Sequence, residues 1–113
     1  MDWKVYQHTK ELFAIILKIV TKLPKEYRYE IGSQAVRASL SVVLNIAEGS
    51  GKGSDKELNH FFDISLGSLF EVFAIIDVMR ANKLASNDDF LTVSSYVESI
   101  GGQLGGFKKS IKN

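Results

Sequence analysis

Ser33-Gln34-Ala35-Val36-Arg37-Ala38-Ser39-Leu40-Ser41-Val42-Val43-Leu44-Asn45-Ile46-Ala47-Glu48 is the stretch whose reading decides the fold. At about 100° per residue, Gln34, Arg37, Ser41, Asn45 and Glu48 share an arc of roughly 80°. Nearly everything else is apolar. Ile31, Ala35, Ala38, Val42 and Ile46 cover the opposite side, and Val36, Leu40, Val43 and Ala47 a third. A helix this apolar leaves little room for water, so it is expected between partners on at least two sides, its polar groups answering others across an interface. The pattern specifies an assembly far better than an activity.

Upstream, Val5, Thr9, Leu12, Ile16, Ile19 and Leu23 alternate in steps of four and three, the stripe of a helix packed along a bundle seam. Pro24 ends that segment, because proline cannot continue the hydrogen-bond ladder and disfavours helix at the residue before it. The second helix is expected to start at Ser33 as its cap, after Gly32, and to end near Gly49. Gly49, Gly51 and Gly53 break the chain, and Ser54 with Glu57 forms a capping box that restarts it.

The third helix, Asp55 to about Asn82, carries Leu58, Phe62, Ser65, Leu69, Val72, Ile76 and Met79 at heptad spacing. After residues 83–87, Phe90, Val93, Val97, Ile100, Leu104, Phe107 and Ile111 mark a fourth, running to the C-terminus. Gly101, Gly102, Gly105 and Gly106 weaken it by about 1 kcal/mol each relative to alanine, so fraying near its end is expected. No stretch alternates with a period of two. The predicted fold is all-α, an antiparallel up-down-up-down four-helix bundle, one domain over residues 1–113.

At 113 residues the chain is long enough for one core, and 45% hydrophobic with 24% charged residues is too apolar for disorder. A net charge of +1 supplies no global attraction for a polyanion, so nucleic-acid binding must rest on a local patch or on repetition by oligomerisation. With no cysteine there is no disulfide framework, and His8 and His60 alone cannot close a zinc site. The longest apolar run, Leu12 to Leu17, is far short of the roughly 20 residues that span a bilayer, and Met-Asp-Trp-Lys lacks the apolar core of an export signal. The bacterial cytoplasm is the expected location, with no membrane partner.

Gly49-Ser50-Gly51-Lys52-Gly53-Ser54 invites comparison with a phosphate-binding loop, but the Walker pattern fails. Lys52 is followed by glycine, the earlier glycine position holds Ile46, and a helix precedes the loop where a strand is required. A helix-to-helix turn is the reading, with Lys52, Lys56 and the amides before the third helix as candidate phosphate contacts. Arg37, Glu48 and Glu71 are the ionisable residues expected to be drawn inside, as an arginine–glutamate pair that fixes register or a subunit contact, and Arg37 is also a candidate contact for nucleic acid or a partner. A di-metal site is a poor fit, since di-iron bundles use Glu-x-x-His elements from two facing helices and His8 does not follow a glutamate by three residues.

Asn45 is read as satisfying backbone or a neighbouring side chain, and both histidines as solvent-facing. Lys4, Lys18 and Lys22 share an outer face that Glu11 interrupts, read as solvated. Lys108, Lys109 and Lys112 complement the last helix dipole and are candidate phosphate contacts. Trp3, Tyr27 and Tyr29 are read as stapling helix ends, with stacking on bases as the sharper alternative. Catalytic, cofactor-binding and metal residues are assigned to none.

The run Gln34-Ala35-Val36-Arg37-Ala38-Ser39, then Asn45-Ile46-Ala47-Glu48-Gly49, then Gly67-Ser68-Leu69-Phe70-Glu71 resembles one family over the whole chain. It is similar to the four-helix-bundle proteins encoded in intervening sequences of bacterial large-subunit ribosomal RNA genes. Members of that family are similar in turn to the accessory variability proteins of diversity-generating retroelements, ring-shaped pentamers that bind nucleic acid and a reverse transcriptase. The resemblance implies a homo-oligomeric, pentameric bundle with no established enzymatic activity. It also implies structural roles for the motif residues Gln34, Arg37, Ala38, Asn45, Ala47, Glu48, Gly49, Gly67, Ser68 and Glu71. The expected function is a non-enzymatic scaffold that binds itself and RNA, DNA or a nucleic-acid-processing protein such as a reverse transcriptase. A protein-interaction scaffold without nucleic acid is the alternative.

Overall fold

The computed structural model describes the backbone of residues 3–110 and the side chains of residues 4–109. The predicted core position Ile111, the candidate contact Lys112 and the side chain of Trp3 lie outside them. Four long helices account for most of the chain: α1 (Trp3–Thr21), α3 (Ser33–Ser50), α4 (Asp55–Ala81) and α5 (Asn87–Ser110). A single turn, α2 (Lys25–Tyr27), and a π-helical stretch, Arg28–Gly32, lead into α3. The molecule measures 45 × 23 × 19 Å, the proportions of a bundle.

The helices sit at four corners in the cyclic order α1, α3, α4, α5, so α1 lies diagonally across from α4 and α3 from α5. Lys22 meets Asp89 and His8 meets Gln103 between α1 and α5, whereas Phe73 meets Phe90 and Phe62 meets Phe107 between α4 and α5. Residue numbers therefore climb on one helix as they fall on its neighbour. The predicted stripes form the core. Val5, Leu12, Ile16 and Ile19 of α1 are buried with Leu23 just beyond its end, as are Leu69, Val72, Ile76 and Met79 of α4 and Val93, Val97, Ile100 and Leu104 of α5. Thr9, the polar member of the first stripe, donates its hydroxyl to the Tyr6 carbonyl at 2.7 Å and so enters the core satisfied.

The second long helix, α3, begins at Ser33 as expected, but Ser33 is not its cap, because helical turns already precede it. Helical backbone starts at Lys25, just after Pro24, and widens to π geometry where the Ser33 amide reaches back five residues to the Arg28 carbonyl. Ser33 therefore donates instead of capping. Its hydroxyl bonds the Tyr29 carbonyl, which the wide turn leaves without its usual amide, and the Glu30 carbonyl at 3.3 Å. Arg28 anchors the turn by donating Nε to the Leu23 carbonyl at 2.9 Å and Nη2 to the Thr21 carbonyl at 3.1 Å, closing the end of α1. Gly32 lets this turn lie against α1, since a Cβ there would stand 2.7 Å from Val20 Cγ1.

Ser54 caps α4, accepting from the Glu57 amide at 3.2 Å, with its hydroxyl 3.2 Å from Glu57 Oε1. Ser86 plays the same part for α5, accepting from the Asp89 amide at 3.0 Å. Lys83 takes φ 62°, a left-handed residue that closes α4, with Asn82 as the C-cap. Helix α5 runs through its four glycines as far as Ser110. No helix there is long and apolar enough to cross a membrane.

Candidate interaction surface

Helices α3 and α4 meet along a polar seam set into apolar surroundings. Ser65, fully buried on α4, donates its hydroxyl to the Val42 carbonyl at 2.9 Å. The Ser41 and Ser68 hydroxyls meet at 2.8 Å, and Asn45 donates Nδ2 to the Ser41 carbonyl at 2.9 Å and to its hydroxyl at 3.0 Å. Asn45 thus satisfies backbone and a neighbouring side chain, as expected. Buried hydrogen bonds demand their partners in place, so this ladder fixes the register of α3 on α4. Gly49 ends the seam inside α3, where an added Cβ would be 3.0 Å from Phe61 Cβ. Its role is close helix contact, and the break in the chain comes only after Ser50.

The motif residues divide between this seam and the surface outside it. Ala38 and Gly49 are buried, and Asn45 and Ser68 line the seam, whereas Gln34, Arg37, Ala47, Glu48, Gly67 and Glu71 are exposed. The arginine–glutamate pair expected inside is absent within the chain. Arg37 reaches only the Ser33 hydroxyl at 3.5 Å, Glu48 pairs with Lys52 one turn on at 3.3 Å, and Glu71 faces outward. The reason is geometric: the stripe of polar positions on α3 straddles the edge of the seam, with Ser41 and Asn45 turned toward α4 and the charged residues toward solvent.

The candidate nucleic-acid contacts are gathered only in part. Arg37 stands apart near the start of α3. Lys52 in the loop before α4, Lys56 in the first turn of α4, and Lys108 and Lys109 in the last turn of α5 lie toward one end of the bundle, where the Lys108–Asp63 and Phe62–Phe107 contacts bring the end of α5 beside the start of α4. Lys52 is drawn between Glu48 and the Phe61 ring, whose centroid is 5.3 Å away, and Lys108 bonds Asp63. Lys56 and Lys109 are exposed and have no ion-pair partner among the described residues. Tyr29 is 86% exposed, so it staples nothing, and Tyr27 borders an apolar hollow with Ile31 and Val78.

His8 departs from the expectation of a solvent-facing residue, because it is half-buried between α1 and α5. Its Nδ1 lies 2.9 Å from Gln103 Nε2, and its ring meets that of Tyr96 edge-on at 6.4 Å. The Tyr96 hydroxyl donates to Glu11 Oε1 at 2.8 Å. That bond, then burial and the carboxylate charge, hold the phenol above its usual range. These groups edge a shallow polar hollow of about 260 Å³, also lined by Ser95 and Ser99. His60 is exposed, as expected. Among the described residues, no three histidine, cysteine or carboxylate side chains group in a way that could hold a metal.

Two features of the surface had no signal in composition. Large apolar side chains remain in contact with solvent on α1 and α3 (Leu17, Leu40 and Leu44) and on α4 (Ile64, Phe70 and Val78), with Leu44, Phe70 and Val78 more than half exposed. Charge is also segregated. Helix α1 and the adjoining Lys22 carry Lys4, Lys10, Lys18 and Lys22 against Glu11 alone, while α4, diagonally opposite, carries five carboxylates against Lys56 and Arg80. A near-zero sum conceals a basic corner facing away from an acidic one.

The described residues thus form an all-α bundle with a serine–asparagine seam between α3 and α4 and exposed apolar side chains on α1, α3 and α4. The model of the 23S rRNA-intervening sequence protein family matches residues 1–106, and the chain belongs to that family. No curated protein matches it.

Proposed function

We propose that this protein is a non-enzymatic, self-associating bundle that forms a pentamer and serves as a scaffold for nucleic acid or for a nucleic-acid-processing protein. The observation that carries the reading is the apolar surface left outside the core: Leu40 and Leu44 project from α3, while Ile64, Phe70 and Val78 project from α4. Scattered exposed leucines are normal, but grouped ones on adjoining helices mark contact surfaces. Arg37 on α3 and Glu71 on α4 support it too, because both are exposed on the helices that carry these residues and have no ionic partner among the described residues.

The test is native mass spectrometry or light scattering across micromolar concentrations, with the absorbance ratio of untreated material reporting any bound nucleic acid. A multiple of the 12.6 kDa chain is expected. A strict monomer overturns the reading. The protein-only alternative is favoured by the local pairing of Lys52 and Lys108, which removes two of the cations proposed to meet phosphate. Binding to RNA or DNA that weakens steeply as salt rises supports the nucleic-acid version, and no binding at low salt leaves the protein-only scaffold.

A further inference from the structure

Copies joined in a ring must meet through two different patches, one on each flank of the subunit. Two adjacent-residue pairs on opposite corners of this bundle have the complementary chemistry. On α1, Leu17 is 41% exposed beside the exposed Lys18; on α4, Phe70 is 62% exposed beside the exposed Glu71. Neither Lys18 nor Glu71 has an ion-pair partner among the described residues. Their heights also agree. Interpolating between the Lys22–Asp89 and His8–Gln103 contacts sets Lys18 beside Val93 of α5. The Phe73–Phe90 and Phe62–Phe107 ring pairs then set Val93 level with Glu71. An apolar–basic step and an apolar–acidic step thus stand at one level along the bundle axis, on helices that face opposite ways.

We infer that the occupant of each patch is a second copy of this chain, docked head to tail: Leu17 and Lys18 of one copy rest against Phe70 and Glu71 of the next. The inference rests on the self-association proposed above and names its faces. Charge segregation favours it, since the basic α1 corner repels another α1 and the acidic α4 corner another α4, which disfavours a two-fold dimer through either face. A net charge of only +1 leaves little overall repulsion to oppose association.

The experiment compares the wild type with Lys18→Glu, Glu71→Lys and the double variant by light scattering and by retention of a labelled RNA, with circular dichroism confirming the fold. Each single reversal sets like charges against each other at every contact and is expected to weaken association about tenfold or more. The double variant restores opposite charges at every contact and with them the wild-type mass. Single variants that keep the wild-type mass overturn these faces while self-association stands, and so does a double variant that stays dissociated. Lys18→Glu that loses RNA at unchanged mass overturns the inference by assigning the α1 corner to a polyanion. A monomeric wild type fails at the earlier step, the self-association itself.

Discussion

Replacing Gly32 by alanine tests how closely the π-helical turn lies against α1. The new Cβ would stand 2.7 Å from Val20 Cγ1 and 3.4 Å from Leu23 Cδ1. Ordinary carbon contacts need about 3.5–4.0 Å, so something must move. Val20 has little freedom to do so, because a β-branched side chain on a helix is confined to essentially one rotamer. Overpacking of this kind costs about 1–3 kcal/mol. Against it stands the gain from removing a helical glycine, about 1 kcal/mol, which is available because Gly32 already has φ −61° and ψ −43°. The control is Gly102→Ala, where an added Cβ meets nothing within 4 Å and the propensity gain acts alone.

Subtracting the two midpoints of urea denaturation, converted to free energy, cancels the propensity term and leaves the steric one. Gly102→Ala is expected to stabilise by about 1 kcal/mol, and Gly32→Ala to fall below it by about 1–3 kcal/mol. Trimming the obstruction in Val20→Ala with Gly32→Ala is then expected to be less damaging than the separate effects imply, with a coupling of about 1 kcal/mol. Equal stabilisation by the two alanines would refute the close contact and the account of Gly32 built on it.

Three further outcomes follow from the geometry. Ser54→Ala removes the acceptor of the Glu57 amide at the start of α4 and is expected to cost about 1 kcal/mol in denaturant unfolding, with Ser54→Gly milder. Tyr96 is held above the ordinary tyrosine value of 10.0 in the folded protein, so its bond to Glu11 contributes in full below that value and is lost as alkali carries the solution through the raised folded pKa. The stability difference between wild type and Tyr96→Phe is therefore expected to be constant at neutral pH and to shrink above about pH 10, as followed by denaturation at stepped pH. Leu44→Asp places a charge on the exposed ridge of α3 and is expected to lower the mass measured by light scattering while the helical circular dichroism and thermal midpoint of the subunit stay within a few degrees of wild type.

The bundle was legible because its determinants are periodic. The stripe from Val5 to Leu23 and the heptads from Phe62 to Met79 name their own buried faces, and Ser54 with Glu57 announces a start through side-chain chemistry local in sequence. The role of Ser33 was misread because serine after glycine signals a cap, whereas in place the same hydroxyl donates to the Tyr29 and Glu30 carbonyls of the wide turn before it. Arg37, Glu48 and Glu71 form no buried pair within the chain for another reason. A helical wheel gives the width of a polar stripe but not where the neighbouring helix ends, and that edge separates Ser41 and Asn45 from the charges beside them. His8 could not be placed without knowing that Gln103, 95 positions along the chain, stands across from it. Charge segregation was invisible in the total and emerges only once α1 and α4 are known to be diagonal.

The π-helical stretch Arg28–Gly32 amounts to one surplus residue absorbed within a helix. Shortening the chain by one residue there, at the outward-facing Glu30, leaves Pro24 and Ala35 free to relax onto an ordinary helical ladder with the core positions of α3 still in phase. The same deletion at Gly67 in α4 would instead turn every later side chain by about 100°, carrying Leu69, Val72 and Ile76 out of the core. Lineages of this family are thus expected to differ in length at residues 28–32 far more readily than within α4.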